Sequence, residues 1–304
     1  MDRNLKDRVK DFLEYLEVER NCSRLTVRNY KHYLEELTDF LDNKGKRAAM
    51  LDEITVENIR RFRLELIRRG LKMVTTGYYI IAIRSFLKWL AKIDVPVLSA
   101  EKLEVPKGKD KSLKFLNQEQ MDRLLKQPLL STDIGLRDRV ILEMLFSTGL
   151  RVSELTALNR EEIDLKTREL GVVGKGGQAR VVFISKRVVP YLERYLKRRI
   201  DKFKPLFINF RKRNVVDDDK KVRLSARSVQ RMIKTYVRRA KLPVMATPHT
   251  LRHSLATDLL MAGADLRSVQ EILGHKNIAT TQIYTHVTDR HLRSVHEKFH
   301  QGNR

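Results

Sequence analysis

The chain is poor in cysteine and has no long apolar run. Cys22 is its one cysteine in 304 residues. A single thiol makes no internal disulfide, and no cysteine cluster is present that could hold structural zinc. The apolar run VILEMLF carries Glu143 and is far shorter than the ~20 residues that a membrane-spanning helix needs. The opening MDRNLKDRVK is too charged for the apolar core of a secretory signal. We therefore expect a cytoplasmic protein that makes no use of a membrane.

Acidic residues are also scarce relative to basic ones. Lys and Arg number 62 against 38 Asp and Glu, which gives a formal net charge of +24. An excess of this size indicates a polyanionic partner, and nucleic acid before a membrane surface. The alternative is that the charge serves solubility alone. Because apolar residues make up 42% of the chain, it can build a folded core, and its length suggests about two domains.

The first 95 residues show helical periodicity. Apolar side chains recur at i, i+3, i+4 and i+7 in four segments, each able to bury one stripe of an amphipathic helix. Their apolar positions are Val9, Phe12, Leu13 and Leu16; Tyr30, Tyr33, Leu34, Leu37 and Leu41; Ile59, Phe62 and Leu66; and Tyr79, Ala82, Ile83, Phe86, Leu87 and Leu90. Ser23 and Thr55 are predicted N-caps. We predict a compact four-helix domain over residues 1–95.

A basic linker is predicted over residues 96–113, where the segment VPVLSAEKLEVPKGKDKSLKF loses the helical period. The predicted second domain, residues 114–304, opens with a capping box formed by Asn117 and Gln120. The segment RDRVILEMLFSTGL then predicts a buried helix that ends at Gly149.

Later parts of this domain are more varied. RELGVVGKGGQARVVFI alternates and turns at glycines, which predicts a small antiparallel hairpin. NFRKRNVVDDDKKVRL lacks a period and is predicted to be an exposed loop. HLRSVHEKF predicts a terminal helix with Leu292, Val295 and Phe299 on one stripe. That stripe either docks on a neighbouring protomer or packs on its own domain.

Six side chains of the second domain are suited to chemistry on a phosphodiester. They are Arg151, Lys175, His249, Arg252, His275 and Tyr284. Each has an ordinary alternative. Arg151 could form a surface ion pair with Glu154, and Lys175 could be a solvated turn residue. His249 could cap a helix, and Arg252 could be a salt-bridge partner.

Two further alternatives concern the end of the chain. His275 could be a plain loop residue, and Tyr284 could be a buried or a surface ring. The combination of the six is more informative than any one member, because it contains no paired carboxylates and no metal-ligand spacing. We therefore expect neither a metal nor a cofactor, and the cationic side chains would have to neutralise phosphate charge themselves.

Four segments together resemble the tyrosine recombinase (phage integrase-like) family, and within it the Xer-type recombinases. They are VERNCSRLTVRNYKHYLEELTDFL, STGLRVSELTALNREEIDL, VVGKGGQARVVFI and TPHTLRHSLATDLLMAGADLRSVQEILGHKNIATTQIYTHV. The resemblance implies a mainly α protein. Its parts would be an N-terminal four-helix, SAM-like core-binding domain that clamps DNA and a mixed α catalytic domain with a small antiparallel β-sheet. It also implies that the six residues named above form the catalytic set, with Tyr284 as the nucleophile.

The chemistry of these residue types fits that implication. Arg151 and Arg252 would hold the non-bridging oxygens of the scissile phosphate through forked hydrogen bonds. A phenol with a pKa near 10 needs a base, and His249 is the candidate. The resemblance assigns Lys175 to protonation of the leaving 5′ oxygen, and His275 would orient a phosphate oxygen.

The resulting hypothesis is site-specific recombination between two double-stranded DNA sites through a 3′-phosphotyrosine. The resemblance implies a homo- or hetero-tetramer on the DNA that resolves chromosome or plasmid dimers. Three alternatives stay open at this point: a mobile-element integrase, a topoisomerase IB-like enzyme that nicks and reseals, and a DNA-binding protein without catalysis.

Overall fold

The computed structural model describes residues 4–42, 45, 47–106, 114–174, 177, 179–213, 215 and 217–274. The chain divides into two compact units, residues 1–111 and 112–304. Helices dominate, and the strands described form one two-stranded sheet. The predicted mainly α fold with a small antiparallel sheet is therefore confirmed. Within the described ranges, no helix combines the length and the apolar character that crossing a membrane requires.

The first unit is built on four helices that match the four periodic segments. They are α1 (Leu5–Val18), α2 (Arg24–Leu41), α3 (Val56–Arg68) and α4 (Met73–Lys92). The predicted N-caps are confirmed: the Ser23 hydroxyl accepts from the Thr26 N–H at 3.2 Å, and the Thr55 hydroxyl accepts from the Asn58 N–H at 3.1 Å. Aromatic rings fill the centre of this unit, where the Phe12 ring lies 5.4 Å from that of Phe86.

The segment after α4 packs on the same core. Ala100 and Leu103 are buried with the apolar residues of α1 to α4, and the Leu103 carbonyl accepts a hydrogen bond from Arg84. The predicted linker over 96–113 thus begins with residues that are held against the first unit by apolar contacts. Its most basic part, residues 107–113, lies outside the described residues.

The second unit is organised around a helix that is buried on nearly every side. Its helices and strands are α5 (Gln118–Leu125), α6 (Asp133–Thr148), α7 (Val152–Ala157), β1 (Glu169–Val173), β2 (Ala179–Phe183), α8 (Val189–Arg198), α9 (Asp219–Val222), α10 (Ala226–Arg239), α11 (Pro248–Met261) and α12 (Leu266–Leu273). The central helix is α6, and α8 and α11 pack against it. The predicted Asn117–Gln120 capping box is confirmed.

The predicted hairpin is confirmed as β1 and β2, which pair antiparallel with Glu169 opposite Phe183 and Val173 opposite Ala179. Alternate residues face inward, so that Leu170 and Val182 are buried while their chain neighbours are exposed. The hairpin thus buries one face in the core of the second unit.

The prediction of a plain exposed loop over residues 209–224 is wrong at one point. The segment contains α9, a single helical turn in which the Asp218 carboxylate accepts a hydrogen bond from the Lys220 N–H at 2.7 Å. Val222 is fully buried against Phe203 and Ile208. One apolar residue is too few to show a period, so the pattern hid this turn. The predicted terminal helix lies outside the described residues.

Candidate active site

The site begins where α6 ends. Gly149 adopts the left-handed conformation (φ +61°), and its N–H donates to the Leu145 carbonyl at 3.2 Å. A side chain here would be strained, and its Cβ would lie 2.9 Å from methyl groups of Leu255 and Leu273. This turn places Arg151 directly before α7. The predicted end of the helix at Gly149 is confirmed.

A buried carboxylate holds Arg151 in place. Glu154 accepts from the Arg151 backbone N–H at 2.8 Å and from the Arg151 Nη1 at 2.9 Å. Arg180, on β2, donates both of its terminal nitrogens to the same carboxylate at 3.0 and 2.8 Å. Burial alone would raise the pKa of Glu154, but the hydrogen bonds from Arg180 and Arg151 outweigh it and lower the pKa to about 2.

Arg151 does form an ion pair with Glu154, but it is not the surface pair of the alternative prediction, because the Glu154 side chain is 6% exposed. The pair is compatible with a phosphate contact. The side chain of Arg151 keeps 32% of its surface exposed. Its Nη2 donates to the Gly274 carbonyl at 3.2 Å. The guanidinium is thus fixed from two sides and still open to solvent.

Helix α11 supplies the next two side chains. Thr247 caps the helix, its hydroxyl accepting from the Thr250 N–H at 3.2 Å, and Pro248 occupies the first turn. The alternative that His249 is the cap is therefore wrong. His249 and Arg252 follow in the first turns, three residues apart, as the sequence predicted.

Arg252 is buried beneath this surface, with 4% of the residue exposed. Its Nη1 donates to the Gly149 carbonyl at 2.6 Å, and its Nη2 donates to the Leu273 carbonyl. Arg252 therefore connects the end of α6 to the end of α12, and both arginines donate to carbonyls at the end of α12.

The end of α12 is the second anchor of the site. Gly274 closes that helix in the left-handed conformation (φ +63°). The carbonyls of Leu273 and Gly274, which the helix leaves without helical partners, receive Arg252 and Arg151 respectively. A helix C-terminus favours cations, so these contacts are electrostatically matched.

His249 is exposed at the surface of this cluster. Partial burial lowers the pKa of its imidazole, and the positive charges of Arg252 and Arg151 lower it further. A lowered pKa favours the neutral ring, which is the form that can accept a proton. His253, whose ring centre lies 6.5 Å away, also has a lowered pKa, because of burial and the nearby His249 and Arg252.

The structure thus brings together Arg151, His249 and Arg252. The other three candidates, Lys175, His275 and Tyr284, lie outside the described residues. In the chain, Lys175 comes between the residues of β1 and those of β2, and His275 directly follows Gly274. Their part in the site stays a prediction.

Glu154 and Arg180, which were not among the predicted site residues, each have a feature in the sequence that indicates a structural role. Glu154 stands three residues after Arg151, the N-cap of α7, which is the position of the acidic partner in a capping box, yet the sequence predicted it only as an ion-pair partner of Arg151. Arg180 alternates with Val182 on the inward face of β2. A charged residue on an inward face requires a partner, but the sequence pattern does not identify which carboxylate supplies it. Across the described ranges, no group of three or more His, Cys, Asp or Glu is arranged to hold a metal ion.

Comparison with known proteins places this site in a family. The model of the Phage integrase family matches residues 114–291, and the model of the Phage integrase N-terminal SAM-like domain matches residues 9–93. A tyrosine recombinase XerC of Natranaerobius thermophilus is 35% identical, over 97% of this chain and 99% of the relative. A tyrosine recombinase XerC of Oceanobacillus iheyensis is 36% identical, over 96% of this chain and 95% of the relative.

A solved structure agrees with the fold. The crystal structure of XerH site-specific recombinase bound to a palindromic difH substrate is similar with a TM-score of 0.72 at 22% identity, over 95% of this chain and 84% of that one. The chain belongs to the phage integrase family, the tyrosine recombinases. Within that family it is of the Xer type, and it is an enzyme, a site-specific recombinase.

Proposed function

We propose that the chain exchanges strands between two double-stranded DNA sites through a covalent 3′-phosphotyrosine at Tyr284. The observation that carries this proposal is the convergence of two anchored guanidinium groups, Arg151 and Arg252, with a histidine whose pKa is lowered. A site of this kind provides cations for a phosphate and a neutral base beside them.

Arg151 and Arg252 are proposed to stabilise the charge that builds on the non-bridging oxygens of the scissile phosphate. Both side chains are held by backbone carbonyls at their far ends, so little reorganisation is needed when the substrate binds. Guanidinium groups stay charged at every pH at which the protein is folded, and they match two phosphate oxygens with two parallel hydrogen bonds.

The proposed reaction is a transfer of the phosphoryl group from a DNA oxygen to a tyrosine oxygen. The phenolic oxygen of Tyr284 attacks phosphorus, and the bond from phosphorus to the 5′ oxygen breaks. His249 takes the phenolic proton, Lys175 supplies a proton to the 5′ oxygen, and His275 orients a phosphate oxygen. Because the new phosphodiester preserves the energy of the old one, a 5′ hydroxyl of the partner strand can reverse the step without a nucleotide cofactor.

The division into domains supports a clamp around the duplex. We propose that residues 1–95 bind one face of the DNA and residues 114–304 the other, with residues 96–113 as the connection. Basic side chains on the outer surface of the first unit would contact phosphates, and Arg24, Arg28 and Arg60 are exposed there. The net charge of +24 would add a salt-dependent attraction to DNA.

We further propose a tetramer on two DNA sites, with one pair of protomers active at a time, that resolves chromosome or plasmid dimers. The support is the similarity to XerC relatives over almost the full length of both chains. The partner protomers would be copies of this chain or a second, related recombinase.

The proposal is tested by trapping the covalent intermediate. DNA fragments recovered with the protein from cells are sequenced, and their common site is rebuilt with a nick beside the cleavage position. The wild-type chain should leave a protein–DNA adduct on a denaturing gel, and Tyr284→Phe should leave none while binding the DNA with unchanged affinity. Tyr15→Phe, the same chemical change in the first unit, is the matched control and should form the adduct.

Three outcomes would count against parts of the proposal. An undiminished adduct from Tyr284→Phe rejects the nucleophile. An adduct without any exchange between two differently marked sites indicates nicking and resealing of one duplex, as in a topoisomerase IB-like enzyme. Exchange confined to the ends of a mobile element would favour an integrase over a resolvase.

A further inference from the structure

Arg180 is a buried basic side chain next to Arg151, one of the two arginines proposed to bind the scissile phosphate. It lies on the inward face of β2, opposite Val172 of β1. Its side chain is 12% exposed, and its Nη1 and Nη2 form a fork on the two oxygens of Glu154 at 3.0 and 2.8 Å. Forked arginine–carboxylate pairs are among the strongest and most directional contacts that side chains make.

The same two oxygens of Glu154 hold Arg151. Its Nη1 donates to Oε1 at 2.9 Å, and its backbone N–H donates to Oε2 at 2.8 Å. One carboxylate therefore lies between two guanidinium groups, and the three side chains together carry a net charge of +1. The Nε of Arg180 is buried and has no hydrogen-bond partner among the described residues. The fork on Glu154 is accordingly what compensates the burial of Arg180.

Arg180 also packs against the other anchor of Arg151. A Cβ placed on Gly274 would lie 2.8 Å from the Arg180 Cδ and 3.0 Å from its Nε. The carbonyl of the same glycine accepts from the Arg151 Nη2 at 3.2 Å. Arg180 is thus in contact with both groups that fix the Arg151 guanidinium, the carboxylate and the end of α12.

We propose that Arg180 is a positioning residue that keeps the charge of Arg151 available to the scissile phosphate. The charge balance gives the reason. With Arg180 present, two positive groups share one negative group, and the cluster attracts an anion. Without Arg180, Glu154 faces Arg151 alone, and the carboxylate cancels the charge that the phosphate requires. This inference rests on the proposed function, in which Arg151 binds that phosphate.

A rescue experiment distinguishes this role from a purely structural one. In Arg180→Met and Arg180→Gln, the positive charge is lost, and we expect single-turnover cleavage of the nicked DNA to slow by about 10- to 100-fold, somewhat less than for loss of a group that contacts the transition state directly. DNA binding should weaken by less than about threefold, since Arg151 and Arg252 contribute few of the many phosphate contacts. Arg180→Lys keeps the charge and should be faster than both neutral variants.

The decisive variant adds Glu154→Gln to each neutral variant. Removing the carboxylate charge restores a net charge of +1 to the pair, so cleavage should rise several-fold above that of the single variant. A structural role predicts the opposite, because the double variant loses more of the hydrogen-bonded cluster. Thermal unfolding of every variant shows which of them are folded, and Arg180→Gln keeps a hydrogen-bonding group if Arg180→Met unfolds.

Two outcomes overturn the inference. One is cleavage at the wild-type rate in both neutral variants, and the other is a double variant no faster than its parent. Failure of the proposed function has a different signature in the same assay, since the wild-type chain would then form no adduct that depends on Tyr284; the inference about Arg180 would fall with it.

Discussion

Replacing Glu154 with Gln should destabilise the second unit by an amount that depends on pH. The carboxylate is buried and accepts four hydrogen bonds from Arg151 and Arg180, which lower its pKa from 4.5 to about 2. A shift of this size corresponds to about 3.5 kcal/mol of folding free energy at neutral pH, at about 1.4 kcal/mol per pKa unit. Solvent around the partly exposed Arg151 screens the interaction, so this is an upper value.

The sign of the pH dependence follows from the direction of the shift. Because the pKa is lower in the folded than in the unfolded chain, the stabilisation is complete above about pH 4.5 and is lost as the pH falls from there toward 2. The amide of Gln cannot ionise, so the stability difference between wild type and Glu154→Gln should be constant from pH 7 to 5 and shrink below that.

Chemical denaturation followed by circular dichroism, in steps from pH 7 to pH 3.5, measures this difference. Glu193→Gln, an exposed glutamate of α8, is the control and should change stability by less than about 0.5 kcal/mol at every pH. A Glu154→Gln effect below about 1 kcal/mol at pH 7 would refute the reasoning. So would a difference that stays constant down to pH 3.5.

Two further predictions concern the anchors of the site. Gly149→Ala should cost about 2 kcal/mol of unfolding free energy, because φ is +61° and the new Cβ crowds two leucine methyl groups. Gly171→Ala, with open space around its Cβ, is the control and should be neutral or slightly stabilising. Denaturant melts measure the stability of both variants, and equal effects would contradict the argument. In the DNA-free protein, Arg151→Gln should raise the pKa of His249, because a positive charge that lowers this pKa is removed. NMR titration of the imidazole measures it, and the signal of His249 is identified by its absence in His249→Gln. An unchanged or lower pKa in Arg151→Gln would show that the two groups are not coupled.

The fold could be predicted where patterns among neighbouring residues in the sequence correspond directly to helices, caps and turns in the structure. The apolar stripes of α1 to α4 became the core of the first unit, and Ser23 and Thr55 cap helices as expected. The hairpin and the ends of helices could also be predicted, because glycine adopts the backbone conformations that a turn or a helix end requires. The buried turn at Val222 and the packed start of the linker were missed, since each depends on contacts with residues distant in the chain.

Part of the candidate site could likewise be predicted from the sequence, and part could not. The spacing of His249 and Arg252 predicted that they share a helix face, and α11 confirms it. The shared carboxylate of Glu154 and the contribution of Arg180 could not be predicted from spacing, because 26 residues separate them in the chain. The roles of Lys175, His275 and Tyr284 stay predictions that come from the resemblance.

By itself, the sequence determined the helices and their caps, the hairpin, the excess of positive charge, and the residue types that a phosphate would need, because each of these is a property of neighbours along the chain. Tertiary structure alone decided that Arg151 attaches to the end of α12 and Arg252 to the ends of α6 and α12, that Glu154 is shared by two arginines, and that the pKa of His249 is lowered. The physical reason is that hydrogen bonds, desolvation and Coulomb interactions act over a few ångströms in space. Distance along the chain carries no information about them.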